Sequence, residues 1–111
     1  MTLKDLLEKT DSELLTPDAD LTREVTGCYI GDLLSWVMAH AGAGSAWITV
    51  QTHLNVIAVS TLLDLACVIN PEGVEMEKVS LEKAMEKEVP VLRSAMTAYE
   101  LAVKLHELGV S

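Results

Sequence analysis

The chain contains no phenylalanine, and its only aromatic side chains are two Trp and two Tyr. A core must therefore come from aliphatic residues, and with 50% of the residues hydrophobic there are enough of them. Basic residues are scarce: 8 Lys and Arg face 17 Asp and Glu, a formal net charge of -9. Neutralising phosphates with Lys and Arg dominates nucleic-acid affinity, so this balance argues against DNA or RNA as a partner. It equally disfavours an anionic membrane surface and leaves room for a basic partner. Cysteine is limited to Cys28 and Cys67 with no C-x-x-C pair, so neither a disulfide framework nor a zinc signature follows. Both read as small buried hydrophobes in a reducing compartment. His40, His53 and His106 are scattered, with no H-x-x-x-H spacing, and no metal site is expected. Met1-Thr2-Leu3-Lys4-Asp5-Leu6-Leu7 lacks the continuous apolar stretch of a signal peptide. No apolar run approaches the roughly 20 residues of a membrane span. The expectation is a cytoplasmic protein forming one domain over residues 1–111.

What is present is an alternation of element types. Thr2 and Asp5 form a capping box opening a short first helix. Glu13-Leu14-Leu15 is a short extended piece ended by the turn signal Thr16-Pro17-Asp18. Residues 23–30 read as a strand with Gly27 marking a bulge or a close backbone approach, and residues 33–41 as a helix opened by Gly31-Asp32, with Asp32 as a cap. Residues 46–50 read as a buried strand. Residues 54–66 form a helix apolar on all sides, which implies burial in the domain and in a partner. Cys67-Val68-Ile69 is a third strand, followed by the turn Asn70-Pro71-Glu72-Gly73. Residues 77–88 form a charged helix with Leu81, Ala84 and Met85 as its inner stripe and Lys78 and Glu82 as an outer pair. Residues 89–92 form the last strand, which Pro90 confines to an edge or to pairing on one side. Thr97 with Glu100 is a second capping box, opening a final helix to about Leu108. From Arg23 onward the order is strictly β-α. The fold expected is α/β, with a small, mostly parallel sheet of four to five strands flanked by helices.

The chemistry concentrates where the second buried strand gives way to the apolar helix. Thr49, Gln51, Thr52, His53 and Asn55 crowd that junction, and open α/β sheets bind ligands beyond the carboxyl ends of their strands. These side chains and the first amides of the helix can grip a phosphate or carboxylate. The plainer account is that Thr52 or His53 caps the helix and Asn55 bonds nearby backbone. Asn70, Glu72, Gly73, Ser94 and Thr97 follow later strands and can converge on the same edge, although capping is the favoured role for Thr97. A general base at His53, with Glu72 and Ser94, would be needed for a small hydrolase or transferase. Glu75, Glu77, Glu82, Glu86 and Glu88 would make the acidic face of a protein–protein adaptor, although a solvated helix face is the plainer account.

Residues 25–35, containing Gly31-Asp32-Leu33-Leu34-Ser35, then Thr49-x-Gln51-Thr52-His53-x-Asn55, then Pro90-Val91-Leu92 onward, resemble the small stand-alone proteins of the DRTGG-domain family. Those in turn resemble the N-terminal domain of HPr kinase/phosphorylase. The resemblance runs from about Leu3 to Leu108. It implies an HPr-kinase N-terminal-domain-like fold and a regulatory rather than catalytic role. That role would be self-association as a homodimer and binding of a small anionic metabolite or nucleotide, or of a protein partner, with no cofactor. The chain departs from the family pattern where Asn70-Pro71-Glu72-Gly73 replaces the Thr-Gly-Gly turn, and where the Asp-Arg would fall near Gln51 to His53. Kinase activity is not expected. No G-x-x-x-x-G-K-[ST] loop occurs, and Gly42-Ala43-Gly44-Ser45 is too short and lacks the lysine.

Overall fold

The computed structural model describes residues 1–110. Five strands form one sheet: β1 (Ser12–Leu14), β2 (Gly27–Ile30), β3 (Ser45–Ile48), β4 (Cys67–Asn70) and β5 (Val91–Ser94). Their order is β1-β5-β4-β3-β2, with β2 to β5 mutually parallel and β1 antiparallel to β5. Helices α1 (Leu3–Lys9), α2 (Leu34–His40), α3 (Leu54–Leu63), α4 (Lys78–Glu86) and α5 (Ala98–Glu107) cover both faces. The mostly parallel α/β sheet expected from the alternation is therefore present.

Strand periodicity sorts the core into two layers. Ala46, Ile48, Cys67, Ile69 and Leu92 face Leu3 and Leu6 of α1 and Leu101 and Leu105 of α5. Trp47, Val68 and Val91, the alternate residues, face Val37 of α2, Val56 and Ile57 of α3 and Ala84 of α4. β3 and β4 are buried at every position, as central parallel strands covered on both faces must be.

Local signals hold where both partners lie within one turn. Thr2 and Asp5 close the capping box of α1, and Thr97 and Glu100 that of α5. Helix α3 stops at Leu63, short of the expected residue 66, because Asp64 takes a left-handed conformation (φ 55). The Leu65 amide then donates to the Ser60 carbonyl, a Schellman-type closure. Arg23 clamps this end, reaching the Asp64 carboxylate at 3.1 Å and its carbonyl at 3.0 Å.

Four expectations are corrected, three of them by long-range contacts. The strand at residues 23–30 shortens to Gly27–Ile30 because Arg23 and Val25 pair with the amino-terminal residues Leu3 and Met1 instead. β5 is interior, not an edge. Pro90 precedes the ladder, and its carbonyl accepts from the Val68 amide, so the missing N–H costs no ladder bond. In α4, Ser80 and Ala84 face inward while Met85 is 46% exposed, because the Ser80 hydroxyl is drawn in to the Thr52 carbonyl. The ion pair on α4 is Lys83 with Glu86 at 3.6 Å rather than Lys78 with Glu82.

Cys28 and Cys67 both lie level with Ala46, on either side of it. Two strand spacings of roughly 4.8 Å separate their backbones, too far for a disulfide. Burial pushes the Cys28 thiol up to about 11 and the Cys67 thiol to about 12, from 9.0. Both groups favour the protonated folded state. Above pH 9 the unfolded chain ionises first, so stability falls as pH rises from about 9 toward 11–12. Cys67, fully buried, should account for up to about 1.4 kcal/mol per pH unit across that window, and the partly exposed Cys28 for less. Urea melts of Cys67→Ala and the parent between pH 8 and 11 would check this. Parallel pH profiles would count against a role for the thiol.

Candidate functional site

The carboxyl ends of β2, β3 and β4 are tied together by side chains. Asp32, just past β2, accepts at Oδ1 from the Thr49 hydroxyl at 2.8 Å and from the Val50 amide at 2.9 Å. Gln51 Nε2 donates to the Asp32 carbonyl at 2.8 Å, and the Gln51 amide donates to Thr49 Oγ1 at 3.1 Å. Asn70, at the end of β4, donates from Nδ2 to the carbonyls of Thr49 (2.8 Å) and Gln51 (3.2 Å). Ser80 donates to the Thr52 carbonyl at 2.7 Å, and Thr52 to Glu77 at 3.3 Å. The reason is elementary. Backbone that leaves a ladder before entering a helix has amides and carbonyls without regular partners, and nearby side chains supply them.

Thr49, Gln51, Thr52, His53, Asn55 and Asn70 are thus brought together, but most of their hydrogen-bonding capacity is spent on the chain itself. His53 is the N-cap of α3, its Nδ1 accepting from the Asn55 amide at 3.2 Å. Asp32 does not cap α2, whose N-cap Leu33 has no side-chain bond. Its carboxylate instead bridges to β3. Glu72 and Gly73 lie in the turn after β4, both with positive φ, and their amides donate to the carbonyls of Met96 and Ser94 at 2.8 Å. Ser94 belongs to the opposite face, where its hydroxyl reaches the Thr10 carbonyl at 3.4 Å and accepts from the Met96 amide. Thr97 is committed to capping α5. The exposed ring of His53 bonds no carboxylate among the described residues, so the geometry lacks the feature a His53-based hydrolase requires. No grouping of His, Cys, Asp and Glu suited to a metal occurs among the described residues. Of the acidic residues, Glu75 pairs with Arg93, Glu77 accepts from Thr52 and Glu86 pairs with Lys83.

Sequence reasoning missed Arg93. It lies near the end of β5, directly opposite Asn70 in the ladder. Its Nε donates to the Gly73 carbonyl at 3.0 Å, and Nη1 lies 3.3 Å from Glu75. The available signal was a cation interrupting an apolar strand. Asn70 is fully buried, yet its Oδ1 has no hydrogen-bond partner among the described residues.

A second feature lies on the outside of α2, α3 and α4. Helix α3 buries Val56, Ile57 and Val59 and exposes Leu54 (37%) and Leu62 (68%), with Ala58 between them. An apolar groove of about 420 Å³ runs between this ridge and α4, rimmed by Lys83 and Lys87. A shallower one of about 290 Å³ runs toward Leu34 and Met38 of α2. Leu33 and Trp36 are also exposed, at 65% and 59%, but line neither groove. A groove of about 390 Å³ adjoins the one beside α4 across Thr61 and Lys87 and is lined by Asp20, Arg23 and Asp64, its arginine already held by Asp64.

No family model matches the sequence, and no curated protein matches it significantly. The fold does match a solved structure, the CBS and DRTGG domains of the regulatory region of Clostridium perfringens pyrophosphatase, complexed with the activator diadenosine tetraphosphate. The TM-score is 0.76 at 12% sequence identity, over 94% of this chain and 45% of that one. The chain thus spans under half the length of that neighbour. At this identity the likeness concerns the fold alone. Among the described residues, no helix is long and apolar enough to cross a membrane.

Proposed function

We propose that residues 1–111 form one DRTGG-like, non-catalytic regulatory module, similar to the N-terminal domain of HPr kinase/phosphorylase. It self-associates through the outer face of α3 and binds a small anionic metabolite or nucleotide at the carboxyl edge of the sheet. The observation that carries this is the ridge of Leu54, Ala58 and Leu62 between two apolar grooves. Residues four apart form one ridge row, and such rows pack into the grooves of a second helix. The alanine at its centre permits close approach. A second copy supplies both a ridge and a groove, as a two-fold interface demands. Contiguous exposed apolar surface rimmed by polar residues is characteristic of interaction sites. Support for ligand binding comes from the regulatory neighbour, whose partner is a nucleotide activator, and from the polar edge described above.

Sedimentation equilibrium of the parent and of Leu62→Glu tests the reading. The parent is expected to be a dimer at micromolar concentration and the variant a monomer. Their melting curves at low concentration should nearly coincide, since Leu62 is 68% exposed. A monomeric parent at high micromolar concentration sinks it.

A further inference from the structure

Helices α2, α3 and α4 share one face of the sheet, while α5, which follows β5, lies on the other. Consecutive connections therefore diverge between β4 and β5. That divergence, and not the β3 end where the polar cluster sits, is the topological switch point at which open α/β sheets hold ligands. Asn70 and Arg93 stand opposite one another there. We infer that Arg93 is the anion-receiving group of this module, that Glu75 is its internal competitor, and that Asn70 Oδ1 accepts a hydrogen bond from the same ligand. This rests on the regulatory, ligand-binding reading above.

Three observations carry it. First, the Arg93 side chain is 33% accessible, and its second terminal nitrogen makes no bond among the described residues. A guanidinium presents a fork that fits phosphate or carboxylate oxygens two at a time. Second, the carboxylate it now meets belongs to Glu75, whose side chain is 77% exposed. An exposed pair of this kind contributes little, so an incoming anion displaces it at small cost. Glu13 is the other neighbour of Arg93 in the ladder and adds a second exposed negative charge, so the carboxylates set a threshold that weak anions do not pass. Third, Asn70 spends both Nδ2 hydrogens on Thr49 and Gln51 at the β3 side. The planar amide then turns Oδ1 away from those carbonyls, buried and unpartnered among the described residues. A buried acceptor in that condition is costly and is relieved by an N–H or O–H donor. The ligand class that satisfies both groups is a small phosphorylated or carboxylated molecule that also carries a donor. Release of Glu75 would free one of the two bonds by which Arg93 holds the turn at residues 72–75, which links binding to loop position.

The test uses inorganic phosphate and sulfate at constant ionic strength. Binding is followed through backbone amide shifts in the parent, Glu75→Gln, Arg93→Gln and Arg93→Lys, and through the Arg93 Nε–H resonance in the two that keep the arginine. Phosphate retains an O–H at neutral pH and sulfate does not. Phosphate is expected to bind the parent and to bind Glu75→Gln up to about fivefold more tightly, the range of an exposed ion pair. It should bind Arg93→Gln at least about tenfold more weakly, as the loss of a charge-assisted bidentate contact implies. Arg93→Lys, which keeps the charge and loses the fork, should fall between the two. Sulfate should bind more weakly than phosphate. Glu75→Gln guards against a folding artefact, because it alters only an exposed side chain. Equal phosphate binding by the parent and Arg93→Gln overturns the inference while leaving a ligand site elsewhere on the module intact. Absence of phosphate binding in both the parent and Glu75→Gln also overturns it, and self-association, measured separately, is unaffected. Equal affinity for sulfate and phosphate removes Asn70 from the site.

Discussion

Trp47→Ala is expected to lower the unfolding free energy by about 3–5 kcal/mol, the range for removing a fully buried aromatic side chain. Trp47 has no exposed surface and sits in the central region of the sheet, level with Tyr29 on β2 and Val68 on β4. Its indole N–H donates to the Gly31 carbonyl at 2.9 Å, so the substitution also frees a carbonyl at the entrance to α2. With no phenylalanine in the chain, the only other aromatic against this layer among the described residues is the partly buried Tyr29. Domains of this size are typically stable by only about 5–15 kcal/mol, so the variant should lose a large share of its margin. Urea unfolding followed by circular dichroism measures this. A change in midpoint at constant slope is the expected form. A loss under about 1 kcal/mol would mean that the α2–α4 layer collapses readily around the gap, contrary to the close packing around Trp47. Trp36, 59% exposed beside His40, provides the contrast: Trp36→Ala should scarcely alter stability.

Asp32→Ala is expected to cost about 2–3 kcal/mol, because a charged acceptor serving two donors is worth more than a neutral bond. The Thr49 hydroxyl is buried and would lose its acceptor outright, whereas the Val50 amide can turn to water. Asp32→Asn retains an acceptor oxygen and should cost less than half as much. Hydrogen exchange at Val50 and Gln51 locates the effect: both amides should exchange faster in the alanine variant, with amides of α5 unaffected. If the alanine and asparagine variants behave alike, the carboxylate is not what holds the β2 and β3 ends together.

The two substitutions separate layers of the design. Trp47 acts through volume, and its loss weakens the whole domain. Asp32 acts through hydrogen bonds at one edge, and its loss should loosen the β3–α3 turn on which Gln51, Thr52 and His53 are mounted. Neither residue is on the α3 ridge or beside Arg93, so each leaves the tests of self-association and anion binding interpretable.

The sequence by itself determined the elements whose causes are local. The capping boxes at Thr2 and Thr97, the β-α alternation and the full burial of β3 and β4 depend on neighbours within a turn or on composition along one strand, and these are legible without a fold. The apolar character of α3 was also plain. Which side of it faces outward was not, since a helix apolar all round carries no direction until a sheet covers one side. The tertiary structure decided the rest. It placed β5 inside the sheet despite Pro90 and turned Asp32 from a cap into a strap across two strands. It also set Arg93 opposite Asn70 at the switch point. Each of these joins residues far apart in the chain, and parallel pairing with its choice of face brings them together. That choice is made by the packing of two apolar layers as a whole, so no window of sequence around any one residue contains it.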